Sequence, residues 1–158
     1  MTADREGREP RVLAFDLGAS SGRAILGVYR DGKIHIEEIH RFSNDPVLMR
    51  GTLYWDFPRL LYEIKQGMAA ARDRGGFDSV GIDTWGVDFG LLDQSGRLIE
   101  NPVHYRDGRT EGIPEEIFRT IPKEKVYGAT GIQIMQLNTL FQLYSIVTRR
   151  PDLKERIA

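Results

Sequence analysis

Four short stretches of this chain bring together residue types able to do chemistry. In the first, Asp16-Leu17-Gly18-Ala19-Ser20-Ser21-Gly22-Arg23, Gly18 and Gly22 permit a tight turn whose backbone N–H groups converge. Ser20 and Ser21 add hydroxyl donors and Arg23 a cation, so that Ala19 to Arg23 read as a cup for an anion such as phosphate. Asp16 beside it could hold a hydrated Mg²⁺. The pattern is neither a Walker loop, which needs Gly-Lys-Ser/Thr before a helix, nor the G-x-G-x-x-G dinucleotide fingerprint. The bland alternative is an ordinary Gly/Ser hairpin turn.

The second stretch, Gly81-Ile82-Asp83-Thr84-Trp85-Gly86-Val87-Asp88-Phe89, falls where an apolar run ends. An acid at a strand's end beside an indole suits a polyhydroxy ligand, the carboxylate accepting from hydroxyls and the ring forming an apolar wall. Its plain alternative is a solvated Asp83, a core Trp85 and a turn at Gly86. The third, Pro102 to Thr110 with His104, Tyr105, Arg106, Asp107 and Arg109, reads by itself as a surface ion-pair loop. The fourth, Thr130-Gly131-Ile132-Gln133 followed by Asn138-Thr139-Leu140, reads as a loop and a helix cap.

The elements that must position these residues follow from periodicity. Val12 to Phe15 and Ala24 to Tyr29 are apolar runs joined by the first motif, a hairpin; Asp31-Gly32 marks a second turn, and Lys33 to Phe42 continues the meander with Ile34, Ile36 and Ile39 expected inside. Asp56 and Pro58 open a helix in which Phe57, Leu60, Leu61, Ile64 and Met68 recur at helical spacing as far as Arg72 to Gly75. Ser79 to Ile82 reads as a buried strand, Phe89 to Ile99 as a hairpin, and Ile113 to Tyr127 as two helical pieces divided near Pro122. Asn138 to Arg149 reads as a helix with Leu140, Phe141, Tyr144 and Val147 inward, and Pro151 starts another. Three meandering strands, a helix and a return strand match the opening of a ribonuclease-H-like α/β fold, a mixed sheet flanked by helices, which needs more than these residues supply.

Composition narrows the function classes. The chain has 158 residues, 41% of them hydrophobic and 28% charged, which is one domain with a real core. Its 22 Lys and Arg against 23 Asp and Glu leave no general attraction for nucleic acid or anionic lipid. It has no Cys, and His35, His40 and His104 have no metal-like spacing. Residues 1–10 are polar, read as a disordered start, and no membrane span or leader is visible, so a cytoplasmic setting is expected.

Taken in order, D-L-G-A-S-S-G-R, E-I-H-R-F, G-I-D-T-W-G-V-D-F, Y-R-D-G-R-T and T-G-I-Q-I-M-Q-L-N-T-L-F-Q-L resemble the N-terminal lobe of the FGGY carbohydrate kinases, in particular their L-rhamnulose kinase branch, from about Val12 onward. Glycerol kinases carry an Arg-Glu pair and xylulose kinases Met-His where this chain has Gly86-Val87. Met135-Gln136 departs from the family, whose members often have Pro in the second place.

The resemblance implies an actin-like ATPase fold and Mg²⁺-dependent transfer from ATP to the 1-hydroxyl of L-rhamnulose in a cleft between two lobes. It implies that Asp16 positions the metal, that Ala19, Ser20, Ser21, Gly22 and Arg23 face the nucleotide phosphates, and that Gly86, Trp85, Tyr105 and Asp83 meet the sugar. Gly86 would open the pocket to a bulkier deoxy-ketose. The catalytic base and adenosine site would then lie in a further part of the same kinase, beyond residue 158, leaving residues 11–158 a partial domain inactive by itself. The competing reading is a two-metal nuclease of the ribonuclease H type, with Asp16, Glu63 and Asp83 as its acidic triad. A third is a structural fragment that binds nothing.

Overall fold

The structure is a computed structural model and describes residues 9–158; the disorder expected for residues 1–10 falls, up to residue 8, outside the described residues. In chain order the elements are β1 (Arg11–Leu17), β2 (Ser21–Arg30), β3 (Lys33–Ser43), β4 (Val47–Met49), β5 (Thr52–Tyr54), α1 (Phe57–Asp73), β6 (Ser79–Thr84), α2 (Ile113–Phe118), α3 (Lys123–Thr130), α4 (Thr139–Arg149) and α5 (Pro151–Lys154). They form two compact units. One comprises the described residues from 9 to 45 and Phe57–Trp85, the other Pro46–Asp56 and Gly86–Ala158.

The first unit is a four-stranded sheet in the order β3-β2-β1-β6. β1, β2 and β3 form the antiparallel meander, turned at Asp31 (φ 50°) and Gly32 (φ 75°) as the Asp-Gly signal requires. β6 runs parallel to β1, a pairing that needs a crossover, and α1 lies within that crossover. Side-chain alternation sends Leu13, Phe15 and Leu17 of β1 and Ala24 and Leu26 of β2 to one face, where they pack with Leu60 and Ala71 of α1. α1 comes in at Gly67, where an added Cβ would stand 2.6 Å from the Phe15 ring and 2.8 Å from Ala24 Cβ. After α1, Gly75 and Gly76 turn the chain with positive φ, and Arg11 locks the connection by donating to the carbonyls of Gly76 and Arg74.

Several expected faces are different. Ile34 and Ile36 are 70% and 74% exposed, because they share the sheet face opposite α1 with Val12, Ala14, Ile25, Gly27 and Tyr29. Ile39, an odd step from Ile34 and Ile36, alternates onto the covered side against the core, and the bulge where β2 and β3 slip register at Ala24/Ile25 brings His40 and Phe42 to that side as well. In α1 the buried stripe is Leu60, Glu63, Gly67 and Ala71, while Phe57 and Leu61 are largely exposed. The expected buried strand at Ser79 to Ile82 is the sheet's edge strand β6, exposed throughout.

The second unit is irregular and helical. β4 and β5 form a small hairpin, and Tyr54 bridges to Val103. Ile113 and Ile117 of α2 pack on Phe141 of α4, with Phe118 edge-on to Phe141 at 6.0 Å. The hairpin expected at Phe89 to Ile99 shrinks to one bridge, Leu92 to Leu98, around a turn organised by the Asp93 carboxylate. The two helical pieces divided near Pro122 are α2 and α3. α4 buries Phe141, Gln142, Ser145 and Ile146, whereas Leu140 and Val147, expected inside, are about half exposed. The helix is rotated toward its polar stripe because partners for that stripe wait there.

Candidate functional site

In the first unit, the chemistry-bearing residues gather where β1 ends. Asp16 and Asp83 are register partners on parallel strands, so their backbones stand side by side at the same C-terminal edge of the sheet. Asp16 alternates with the buried Phe15 and Leu17 and therefore faces away from α1. Its Oδ2 accepts from Arg23 Nε and Nη2, both at 2.8 Å, an ion pair across the hairpin with each side chain 44% exposed. Asp83 turns one oxygen to its neighbour, the N–H of Thr84, at 3.0 Å.

The loop between β1 and β2 is a tight turn closed by Gly18 N–H donating to the Ser21 carbonyl at 2.9 Å. Both glycines are demanded by contact. A Cβ on Gly18 would stand 2.9 Å from the Ser21 carbonyl oxygen, and one on Gly22 2.2 Å from the Phe42 ring. Asn44, only 5% exposed, clasps the loop from the end of β3: its Nδ2 donates to the Gly18 carbonyl and its N–H to the Ser20 carbonyl. The sequence reading missed Asn44. Its signal was the Asn-Asp-Pro turn after a strand, which marks a corner without naming what the side chain will hold.

Glu63 is elsewhere. It is buried at 2% exposure on the α1 side of the sheet, where it pairs with His40 Nε2 at 2.6 Å and with Arg59. The acidic triad of the nuclease reading is therefore not assembled: the covered face holds Glu63 and the open face holds Asp16. Trp85, half-buried, packs against the core of this unit. Among the described residues no cluster of three or more His, Asp or Glu side chains could cage a metal. Two in-register carboxylates at a solvent-reaching edge do fit Mg²⁺, which is commonly held by one or two carboxylates with water and phosphate oxygens.

In the second unit, the third motif is an interior network, not the surface loop its composition suggested. His104, Asp107 and Thr110 are 2%, 8% and 2% exposed. Asp107 accepts from the N–H groups of Leu53 and Arg109, fixing the 3-10 turn Gly108–Thr110 to β5. His104 stacks on Tyr105, with ring centroids 4.5 Å apart, and lies tilted against Trp55 at 4.1 Å. Burial pushes the His104 pKa down against the opposing pull of Asp88, and its Nδ1 accepts from Arg106 N–H. Burial likewise lowers Arg109, against the pull of Asp107 and Asp88.

Gly86 has open space around it, for an added Cβ would meet no atom within 4 Å. The next residue, Val87, has φ 71°, a left-handed conformation that costs a β-branched residue about 1–3 kcal/mol. Its carbonyl accepts from Thr139 Oγ1 at 2.7 Å and from Gln142 Nε2 at 3.3 Å. Asp88 accepts from Trp55 Nε1 on one oxygen and from Gln142 Nε2 on the other. Gln142, 1% exposed, also donates to the Leu137 carbonyl and accepts from Arg109 Nη2. Thr139, Gln142 and Ser145 recur every third residue, a polar stripe legible in the sequence but passed over for the apolar one. Asn138 precedes α4 at the cap position, yet its side chain turns back to Met135 N–H at 2.7 Å. Val87, Thr139 and Leu140 also border an apolar cleft of ≈ 190 Å³ with Ile132 and Ile134 of the fourth motif.

The sheet, its crossover helix and the carboxylates at one strand edge are the opening of an actin-like fold. The xylulose kinase of Lactobacillus acidophilus, solved with bound ligand, superposes with a TM-score of 0.79 over 94% of this chain and 30% of its own, at 12% identity. The xylulose kinase of Rhodospirillum rubrum gives a TM-score of 0.78 at 18% identity, covering 94% of this chain and 31% of that one. Residues 11–158 match the N-terminal domain of the FGGY family of carbohydrate kinases, and the chain belongs to that family.

Within it, the chain is similar to the rhamnulokinase of Oceanobacillus iheyensis, 46% identical over 91% of this chain and 31% of the relative. The rhamnulokinase of Bacteroides thetaiotaomicron is 49% identical over 83% of this chain and 27% of its own length. The chain thus spans about 30% of the length of the curated relatives it matches. Among the described residues, no helix is long and apolar enough to cross a membrane.

Proposed function

We propose that this chain is the N-terminal part of a kinase that transfers the γ-phosphoryl group of ATP to the 1-hydroxyl of L-rhamnulose, giving ADP and L-rhamnulose 1-phosphate. The observation that carries it is the 46% identity to a rhamnulokinase across a segment whose Gly86 leaves free the space a larger side chain would take. In this reading Ala19, Ser20, Ser21, Gly22 and Arg23 face the nucleotide phosphates, and the clasp of Asn44 keeps that loop in shape. Asp16, ion-paired with Arg23, would hold Mg²⁺ at the sheet edge it shares with Asp83. When bound, Mg²⁺ neutralises charge on the β- and γ-phosphates. Gly86, Tyr105 and Asp83 serve the sugar, and Trp85 anchors the end of β6 beside them in the sequence. In the transfer the bond from γ-phosphorus to the bridging oxygen breaks, the bond to the sugar's O1 forms, and the hydroxyl proton passes to a base outside these 158 residues.

Phosphoryl transfer needs nucleophile, metal and phosphate aligned with water excluded. The test therefore compares this chain alone with the same chain continued by the remaining length of the O. iheyensis relative, in a coupled assay of ADP release. The extended protein is expected to turn over L-rhamnulose far faster than glycerol or D-xylulose, and the short chain to show no turnover. Gly86→Arg should raise the KM for the ketose by roughly tenfold or more and leave that for ATP nearly unchanged. An extended protein that prefers glycerol would overturn the substrate, and turnover by the short chain would overturn its dependence on a second part.

A further inference from the structure

The conformation of Gly86-Val87-Asp88 is not set by its own sequence. A Val-Asp pair prefers extended backbone, and Val87 sits at φ 71°. Such a conformation persists only where its surroundings over-determine it. Here four contacts do so. Thr139 Oγ1 and Gln142 Nε2 take the Val87 carbonyl, and Gln142 Nε2 with Trp55 Nε1 takes the two oxygens of Asp88. Gln142 is in turn fixed by Arg109 Nη2 on its oxygen and by the Leu137 carbonyl on its nitrogen. Its amide is thus oriented without ambiguity, oxygen to the guanidinium and nitrogen to carbonyls. A buried amide used this fully is costly to remove, since its partners cannot turn to water.

We propose that Gln142, assisted by Thr139, is a positioning residue for sugar selection: it holds Val87 in its left-handed conformation and thereby aims Gly86 and Asp88. The inference rests on the sugar-kinase reading above and adds to it a residue one helix away from the segment it controls. It also assigns a task to the stripe Thr139, Gln142 on α4, which core packing alone does not require.

The experiment uses the extended kinase described above. Gln142→Met keeps the side chain's length and loses every polar contact. It should raise the KM for L-rhamnulose about tenfold and keep the KM for ATP within about twofold. Thr139→Val should move the ketose KM in the same direction by a smaller factor, and Thr139→Ser, which keeps the hydroxyl, should stay near the parent value. The deciding arm is Val87→Gly placed on Gln142→Met. Glycine enters positive φ without penalty, so this double variant should recover most of the lost ketose affinity. A role in folding only would lower kcat for every substrate with the ketose KM unmoved, and Val87→Gly would rescue nothing; either result overturns the proposal. If Gln142→Met does not fold, the Thr139→Val and Thr139→Ser pair decides, equal KM values for the two refuting it. A parent protein that turns over no ketose takes the kinase reading down and this inference with it, whereas an active parent with unaffected variants removes this inference alone.

Discussion

Thr110 and His104 show how differently a buried polar group can be treated. The Thr110 hydroxyl is the one buried side-chain polar atom among the described residues without a hydrogen-bond partner. Replacing it by a methyl removes a desolvation penalty and keeps the shape, so Thr110→Val should stabilise the chain by about 1 kcal/mol, read as a higher urea midpoint at unchanged slope. His104 is buried neutral in its aromatic stack, and its folded pKa lies below the ordinary value. Below about pH 6.5 the unfolded chain takes up a proton that the folded chain refuses. The stability His104 contributes is therefore complete above that pH and is lost as pH falls toward the depressed folded pKa. Urea midpoints should drop as pH falls below about 6.5, and His104→Gln should flatten that drop; an equal slope in the variant would assign it to another group.

The β1–β2 hairpin is held by shape as much as by hydrogen bonds. Gly22 lies under the ring of Phe42 from β3, and Asn44 at the end of β3 ties the loop that precedes Gly22. A methyl at Gly22 therefore collides with a side chain of the third strand and pushes against the proposed phosphate loop. Gly22→Ala should cost about 1–3 kcal/mol by overpacking, and Phe42→Leu on top should recover part of it by removing the ring's far edge. Additive losses in that double-mutant cycle would show that Phe42 is not what selects glycine. α1 follows the same logic at Gly67, where close approach to Phe15 and Ala24 outweighs the poor helix propensity of glycine.

For the whole molecule, the open face of the sheet and the exposed edge strand β6 set the scale of what is described. Val12, Ile25, Tyr29, Ile34 and Ile36 line an apolar hollow of ≈ 260 Å³ on the side away from α1. The relatives that match this chain are about three times its length. The expected inactivity of the short chain and activity of the extended one belong to this scale, because transfer depends on bringing two substrates together and excluding water. The ADP-release comparison measures that dependence directly.

Turns, helices and motifs were legible in the amino-acid sequence because their causes are local. Asp31-Gly32 sets a turn by its own φ preferences, Phe57 to Asp73 is helical by spacing and Pro122 divides two helices by lacking an N–H. The motif from Asp16 to Arg23 announced a tight turn in the same way, at residues 18–20, whereas Ser21, Gly22 and Arg23, expected within it, already belong to β2. Which face of each element is covered was not local. Ile34 and Ile36 have the same pattern whether or not a layer lies over them, and one bulge sends His40 and Phe42 to the covered side. Glu63 reads as a catalytic acid until α1 is seen to bury it against His40. The left-handed backbone of Val87 has no cause in its neighbours along the chain; Thr139 and Gln142, more than fifty positions away, hold its carbonyl. Those outcomes belong to tertiary structure because each depends on a partner that only the folded chain brings near.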